Sequence, residues 1–160
     1  MQSIIQNAIS LRNSGKYEES RALLSDLRSD AQFGAQAHLH IAWSYDNEGK
    51  EQQAVPHYES ALLGPLTENE RFDTLFGLAS TLRSLGQYEE AMDYFEQTLT
   101  QFPHAIEVQP FYAMCLYNVG RSKEAVAILL DLLLSTTDHA AIKDYQEAIS
   151  LYATDLDRKW

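Results

Sequence analysis

The sequence predicts an all-α protein built from repeated pairs of antiparallel helices. Three observations support this prediction. Glycines recur at spacings of 34, 37 and 34 residues along the 160-residue chain, apolar residues recur at helical spacing between them, and a capping box marks one helix start. The glycines concerned are Gly15, Gly49, Gly86 and Gly120.

The spacing predicts about nine helices, which form four pairs and one last helix. Ile4, Ala8 and Leu11 give the first helix its apolar face. Thr67 and Glu70 have the spacing of a capping box, so a helix is expected to begin between them. The predicted helices are 2–13 with 17–29, 34–47 with 51–63, 68–84 with 88–101, 107–118 with 122–135, and 139–156.

Short patterns around the glycines resemble a known family. Three glycines follow a segment such as Ile41-Ala42-x-x-Tyr45, and five positions after each glycine stands a small residue: Ser20, Ala54, Ala91 and Ala125. In these features the chain resembles the tetratricopeptide repeat (TPR) family. The resemblance implies a single domain over 1–160 that coils as a right-handed superhelix. Its parts are repeats at about 1–34, 35–70, 71–105 and 106–137, and a capping helix at about 139–156.

The last helix is expected to cap the repeats. An apolar stripe at alternating spacings of three and four residues predicts one buried face, formed by Ile142, Tyr145, Ile149, Tyr152 and Leu156. The remaining positions carry several carboxylates, which suits a face turned to water. Docking of this helix on another subunit is the alternative interpretation.

Composition and charge exclude several classes of protein. The chain has 23 acidic and 12 basic residues and a formal net charge of −11, which argues against nucleic acid and anionic membranes as partners. The N-terminus lacks the pattern of a signal peptide, and no apolar run reaches the about 20 residues of a membrane span. Because Cys115 is the one cysteine, no internal disulfide forms, which favours a cytoplasmic location.

The sequence shows no pattern of catalysis, metal binding or cofactor binding. The seven glycines are interpreted as turn residues, with no phosphate-binding loop among them. His38 and His40 stand two apart on a predicted helix and point to different faces, while His57, His104 and His139 are interpreted as lying in separate repeat units. We therefore predict that the protein is not an enzyme, has no cofactor and holds no metal.

The resemblance implies that the first helix of each pair lines a concave groove that binds a peptide or helix. The groove face would be rich in apolar and aromatic residues, as protein-binding surfaces are. Packing against neighbouring first helices is the alternative interpretation of these side chains. The predicted groove residues are Ile5, Ile9, Asn13, Leu39, Trp43, Asn47, Phe76, Ser80, Arg83, Met114, Tyr117 and Asn118.

The groove pattern also restricts the ligand. Polar residues stand two positions before each turn glycine, at Asn13, Asn47, Ser84 and Asn118, where they could bind an extended peptide backbone or end a helix. In one branch of the family, Lys, Asn and Arg side chains bind a C-terminal carboxylate. At those positions this chain has Ile5, Ile9, His40, Asp73 and Gly77. We therefore expect a neutral or basic protein or peptide with apolar anchors.

The predicted function is a protein–protein interaction module that acts as an adaptor or scaffold without catalysis. Two alternatives stay open. The apolar groove or the last helix could form a homodimer, or the chain could be a peptide-sensing regulatory subunit that acts through a partner.

Overall fold

The chain folds into α-helices alone over the part that the structure, a computed structural model, describes, which is residues 1–159. Two short 3₁₀ turns, Ser25–Leu27 and Ile106–Val108, follow α2 and precede α7. The helices are α1 (Gln2–Asn13), α2 (Tyr17–Leu24), α3 (Gly34–Asn47), α4 (Glu51–Leu62), α5 (Glu68–Ser84), α6 (Tyr88–Gln101), α7 (Gln109–Asn118), α8 (Ser122–Thr136), α9 (Ala140–Lys143) and α10 (Gln146–Ala153).

The all-α fold class is therefore confirmed, with two corrections to the helix bounds. The second predicted helix ends at Leu24 and continues as a 3₁₀ turn. The last predicted helix is broken into α9 and α10, because the amide of Tyr145 bonds to the carbonyl of Ile142, three residues back. This shorter hydrogen bond interrupts the four-residue pattern of an α-helix.

Four glycines end the first helices with the same turn. Gly15, Gly49, Gly86 and Gly120 all have φ between 74° and 82°, a conformation that strongly favours glycine. In each turn the residue after the glycine donates its amide to a carbonyl five residues back, as Lys16 does to Leu11 at 2.9 Å. This is the Schellman arrangement, which reverses the chain and starts the second helix of the pair.

The chain divides into two compact units, residues 1–98 and residues 99–160. In unit 1, helices α1 and α2 form one pair and α3 and α4 the next, while α2 packs on α3 and α4 on α5. First helices also lie side by side, α1 against α3 and α3 against α5. The second helices α2 and α4 are therefore each covered by the first helix that follows them.

Small residues allow the helices of unit 1 to approach closely. Ser20, Ala54 and Ala91 are buried, as the repeat pattern predicts. Gly77 lies inside α5 and not in a turn, which corrects its interpretation from sequence. A Cβ on Gly77 would stand 2.9 Å from the ring of Tyr58, so its absence makes room for that ring.

Unit 2 contains the pair of α7 and α8, with α10 packed against α8. Its buried apolar side chains come mainly from the 3₁₀ turn and α7: Val108, Ala113, Cys115 and Leu116. The predicted capping stripe is only partly buried, since Tyr145 is 68% exposed and Tyr152 is 50% exposed. The break before α10 separates Ile142 from Ile149 and Tyr152, so the predicted stripe does not run along one continuous helix.

We predict that Gly77→Ala destabilises the protein. An alanine in a helix is normally more favourable than a glycine, but here its methyl group would collide with the Tyr58 ring. Urea denaturation should show a loss of about 1–3 kcal/mol.

Tyr58→Leu provides the control, because it removes the ring. In that background we expect Gly77→Ala to be neutral or stabilising by up to about 1 kcal/mol. Equal losses in both backgrounds would show that the ring is not the obstacle.

Candidate functional site

The first helices of unit 1 present one continuous set of the predicted groove residues, which we call the first-helix face. It lies on α1, α3 and α5, which are neighbours in that order. Its side chains are half-buried or exposed, as a binding surface requires. They are Ile9, Asn13, Trp43, Asn47, Phe76, Ser80 and Arg83, and the half-buried Arg12 of α1 lies beside them.

Two predicted groove residues do not belong to this face. Ile5 and Leu39 are both 0% exposed. Ile5 packs in an apolar cluster with Leu24, Ala37 and Ile41. Both side chains are buried, so they belong to the core. For these two residues the structure agrees with the alternative interpretation, in which they pack against neighbouring helices.

Trp43 is held in place by residues of two first helices. The Arg12 guanidinium lies 4.9 Å from the centre of the Trp43 ring, and its Nη1 stands 3.4 Å from Nδ1 of His40. His40 meets the Trp43 ring edge-on, with ring centres 5.2 Å apart. The half-buried indole is thus oriented by a cation–π contact from α1 and by its own helix neighbour.

Burial dominates the electrostatics of this cluster. It lowers the pKa of His40 to about 4, with a smaller contribution from the Arg12 charge. It also lowers the pKa of Arg12, which nevertheless stays charged. A neutral His40 beside a charged Arg12 therefore supports the indole at neutral pH.

Asp46 ties three helices together beneath the same face. Its Oδ2 accepts a 2.5 Å hydrogen bond from the Tyr58 hydroxyl on α4 and a 2.9 Å bond from Thr81 Oγ1 on α5. Burial raises the pKa of Asp46, although both hydrogen bonds oppose the shift. Burial, followed by the Asp46 charge, raises the pKa of Tyr58. This network fixes α3 relative to α5 and so fixes the spacing of the face.

The predicted row of polar residues is only partly available. Asn13 and Asn47 are exposed at the ends of α1 and α3. The Ser84 hydroxyl instead donates to the carbonyl of Thr81 at 2.7 Å, which is helix-end chemistry. Asn118 is half-buried at the end of α7 in unit 2.

Unit 2 carries the other two predicted groove residues. Met114 is 42% exposed and Tyr117 is 68% exposed, both on α7. Their predicted exposure agrees with the structure. Whether they bind a ligand stays a prediction.

One cluster was missed from the sequence. Nδ1 of His38 and Nδ1 of His57 stand 2.9 Å apart across the pair of α3 and α4. Tyr45 stacks on His57, and the guanidinium of Arg21 covers Tyr45 at 4.2 Å from its ring centre. The sequence pattern does not signal this contact, because it depends on how α3 and α4 face each other in the pair.

The structure shows neither a metal cluster nor a membrane span in the residues it describes. Across 1–159, histidine, cysteine and carboxylate side chains nowhere gather in threes that could hold an ion. Nor is any described helix both long enough and apolar enough to cross a membrane.

Comparison with known proteins decides the family. The model of the tetratrico peptide repeat matches residues 1–41 and 34–156. The chain belongs to the tetratricopeptide repeat family. TPR domains are built as protein-interaction modules, and this family is generally non-catalytic. None of the curated proteins matches this chain.

Solved structures share the fold at low sequence identity. The TPR chain is similar to MamA AMB-1, with TM-score 0.70, 22% identity, and coverage of 88% of this chain and 75% of that one. It is also similar to a MamA RS-1 double mutant, with TM-score 0.68, 14% identity, and coverage of 98% and 96%. A putative kinesin light chain of Podosopora anserina has TM-score 0.69, 20% identity, and coverage of 98% and 87%.

We predict that Asp46→Ala destabilises the TPR chain by about 2–3 kcal/mol, because it leaves the buried Tyr58 hydroxyl without its acceptor. Asn47→Ala is the matched control, since Asn47 is the next residue and is exposed. Its effect should stay within about 0.5 kcal/mol. Equal effects of the two variants in urea denaturation would contradict the role given to Asp46.

We predict a contribution of His40 to acid sensitivity. Its pKa is about 4 in the folded chain and about 6.5 when unfolded, so acid favours the unfolded state. The stabilisation is complete above about pH 6.5 and is lost as the pH falls towards about 4.

Denaturation of the wild type and His40→Gln at several pH values in this window checks the prediction. The difference in free energy of unfolding between the two proteins should shrink as the pH falls. A difference that does not change with pH would show that His40 does not titrate in this way.

Proposed function

We propose that this TPR chain binds a peptide or an amphipathic helix of another protein on the first-helix face of unit 1, and that it acts as an adaptor without chemistry of its own. The observation that carries the proposal is the half-buried Trp43, oriented by Arg12 and His40. Tryptophan and arginine are enriched among the residues that dominate binding energy at interfaces.

The rigidity of the face supports binding. The Asp46 network links α3, α4 and α5, and Arg12 links α1 to α3. A surface that is already ordered loses less conformational entropy when a ligand arrives. Trp43 therefore offers an apolar anchor point that does not have to be organised by the ligand.

The charge of unit 1 favours a neutral or basic ligand. Residues 1–98 contain 15 acidic and 7 basic side chains. Such an excess attracts a basic segment and repels an acidic one at long range. Ile9 and Phe76 on the same face supply apolar contacts for the ligand's anchors. A cytoplasmic location stays a prediction from the sequence.

Selection of peptides from a random display library on the whole chain would supply a probe. We expect the selected peptides to carry apolar anchors with neutral or basic flanks. In a titration with a labelled selected peptide, Trp43→Ala should lower the affinity for that peptide by about 10- to 30-fold. Leu63→Ala is the control, because Leu63 is 90% exposed at the end of α4 and away from the face, and it should bind as the wild type does.

Circular dichroism separates binding from folding in this experiment. Trp43→Ala should retain its helical signal and a cooperative melt. An unfolded Trp43→Ala variant, or a folded one with unchanged affinity, would remove Trp43 from the binding surface.

A further inference from the structure

The second helix of the fourth pair exposes an apolar stripe. Val126 and Leu129 are each 43% exposed, and Leu133 is 39% exposed. Their spacing of three and four residues places them on one face of α8. We call these three residues the α8 stripe.

The repeats themselves show that this position is normally covered. Nine residues after each turn glycine stands a large side chain of the second helix. Three of the four are buried and the last is not: Leu24 is 0% exposed, Tyr58 1%, Phe95 0% and Leu129 43%. For Leu24 and Tyr58 the cover comes from the next first helix, since α2 packs on α3 and α4 on α5, while the Phe95 ring contacts Phe76 of α5.

The helices after α8 do not supply this cover. Although α10 packs against α8, Val126, Leu129 and Leu133 stay exposed. Exposed apolar side chains also gather in this part of the protein. Among the described residues, 11 of the 14 exposed large apolar side chains lie in unit 2.

We propose that a second copy of this chain covers the α8 stripe, so that unit 2 forms a two-fold symmetric dimer. A two-fold interface joins the same surface of both copies, so that surface has to complement itself. The α8 stripe does so, because Val126, Leu129 and Leu133 carry no charge and meet no like charge across the axis. The other residues on this face of the helix, Ser122 and Thr136, are uncharged as well.

The charge of unit 2 makes a basic protein segment a less suitable partner for the α8 stripe. Unit 2 has 8 acidic and 5 basic residues, against 15 and 7 in unit 1. A basic segment is therefore attracted more strongly to unit 1. The smaller excess in unit 2 lets two copies approach there with less repulsion than unit 1 would cause.

A head-to-tail arrangement fits less well. In it, α1 of the second copy would take the place of the missing first helix. The exposed face of α1 carries amides and hydroxyls: Gln2, Ser3, Gln6, Asn7 and Ser10. Pressing these groups on the α8 stripe would leave them without hydrogen-bond partners, which is unfavourable.

The α8 stripe alone is smaller than a stable dimer interface. Its three residues are 39–43% exposed, whereas a standard stable interface takes about 800 Å² from each partner. The proposal therefore requires further exposed residues of unit 2 in the interface, such as Leu151 and Tyr152 of α10, the helix that packs against α8.

Sedimentation velocity of the whole chain between about 1 and 100 µM tests the proposal. We expect the wild type to reach twice the monomer mass and Leu129→Glu to stay monomeric, with association at least about 10-fold weaker. Leu23→Glu is the matched control, because Leu23 lies on second helix α2 and is 41% exposed. It should dimerise as the wild type does.

Leu133→Glu provides a second variant of the α8 stripe if circular dichroism shows that Leu129→Glu does not fold. A monomeric wild type at the highest concentration would overturn the proposal. Dimerisation of a folded stripe variant would also overturn it, as would dissociation of Leu23→Glu. Binding of a selected peptide to Leu129→Glu tests the first-helix face separately, so the two proposals fail independently.

Discussion

Coverage of each second helix by the first helix that follows is the constraint on which this structure depends. In unit 1 it is met by close contact: the ring of Tyr58 lies where a Cβ of Gly77 would be, and its hydroxyl reaches Asp46. One side chain on α4 thus sets how α3 and α5 lie against each other. The positions of Trp43 and Phe76 on the first-helix face follow from this spacing.

The first-helix face and the α8 stripe differ because α2 and α4 in unit 1 are covered by the next first helix, whereas the α8 stripe in unit 2 is exposed. In unit 1, α2 and α4 are covered, and the unit, which has an acidic excess overall, presents a rigid face with an oriented indole, which suits a ligand from another protein. Unit 2 leaves the α8 stripe open and has a smaller acidic excess, which suits its own copy. We therefore propose recognition and self-association for different helices.

Repetition made the fold predictable from the sequence, because each turn glycine has one physical role, a positive φ that ends a helix. The site was less predictable. Ile5 and Leu39 lie one residue along the helix from positions that would face the groove. One residue corresponds to a rotation of about 100° around the helix axis, which is enough to move a side chain from the surface into the core. The break at Tyr145 depends on a single shifted hydrogen bond. The contact of His38 with His57 depends on the facing of two helices, which periodicity does not report.

We propose that the first-helix face of unit 1 is the surface that binds a ligand. The most direct measurement is a two-dimensional NMR titration of the isotope-labelled whole chain with a selected peptide. We expect the indole signal of Trp43 to shift together with amides of exposed and half-buried residues on α1, α3 and α5. Shifts confined to α2, α4 or unit 2, with the Trp43 indole unchanged, would contradict it.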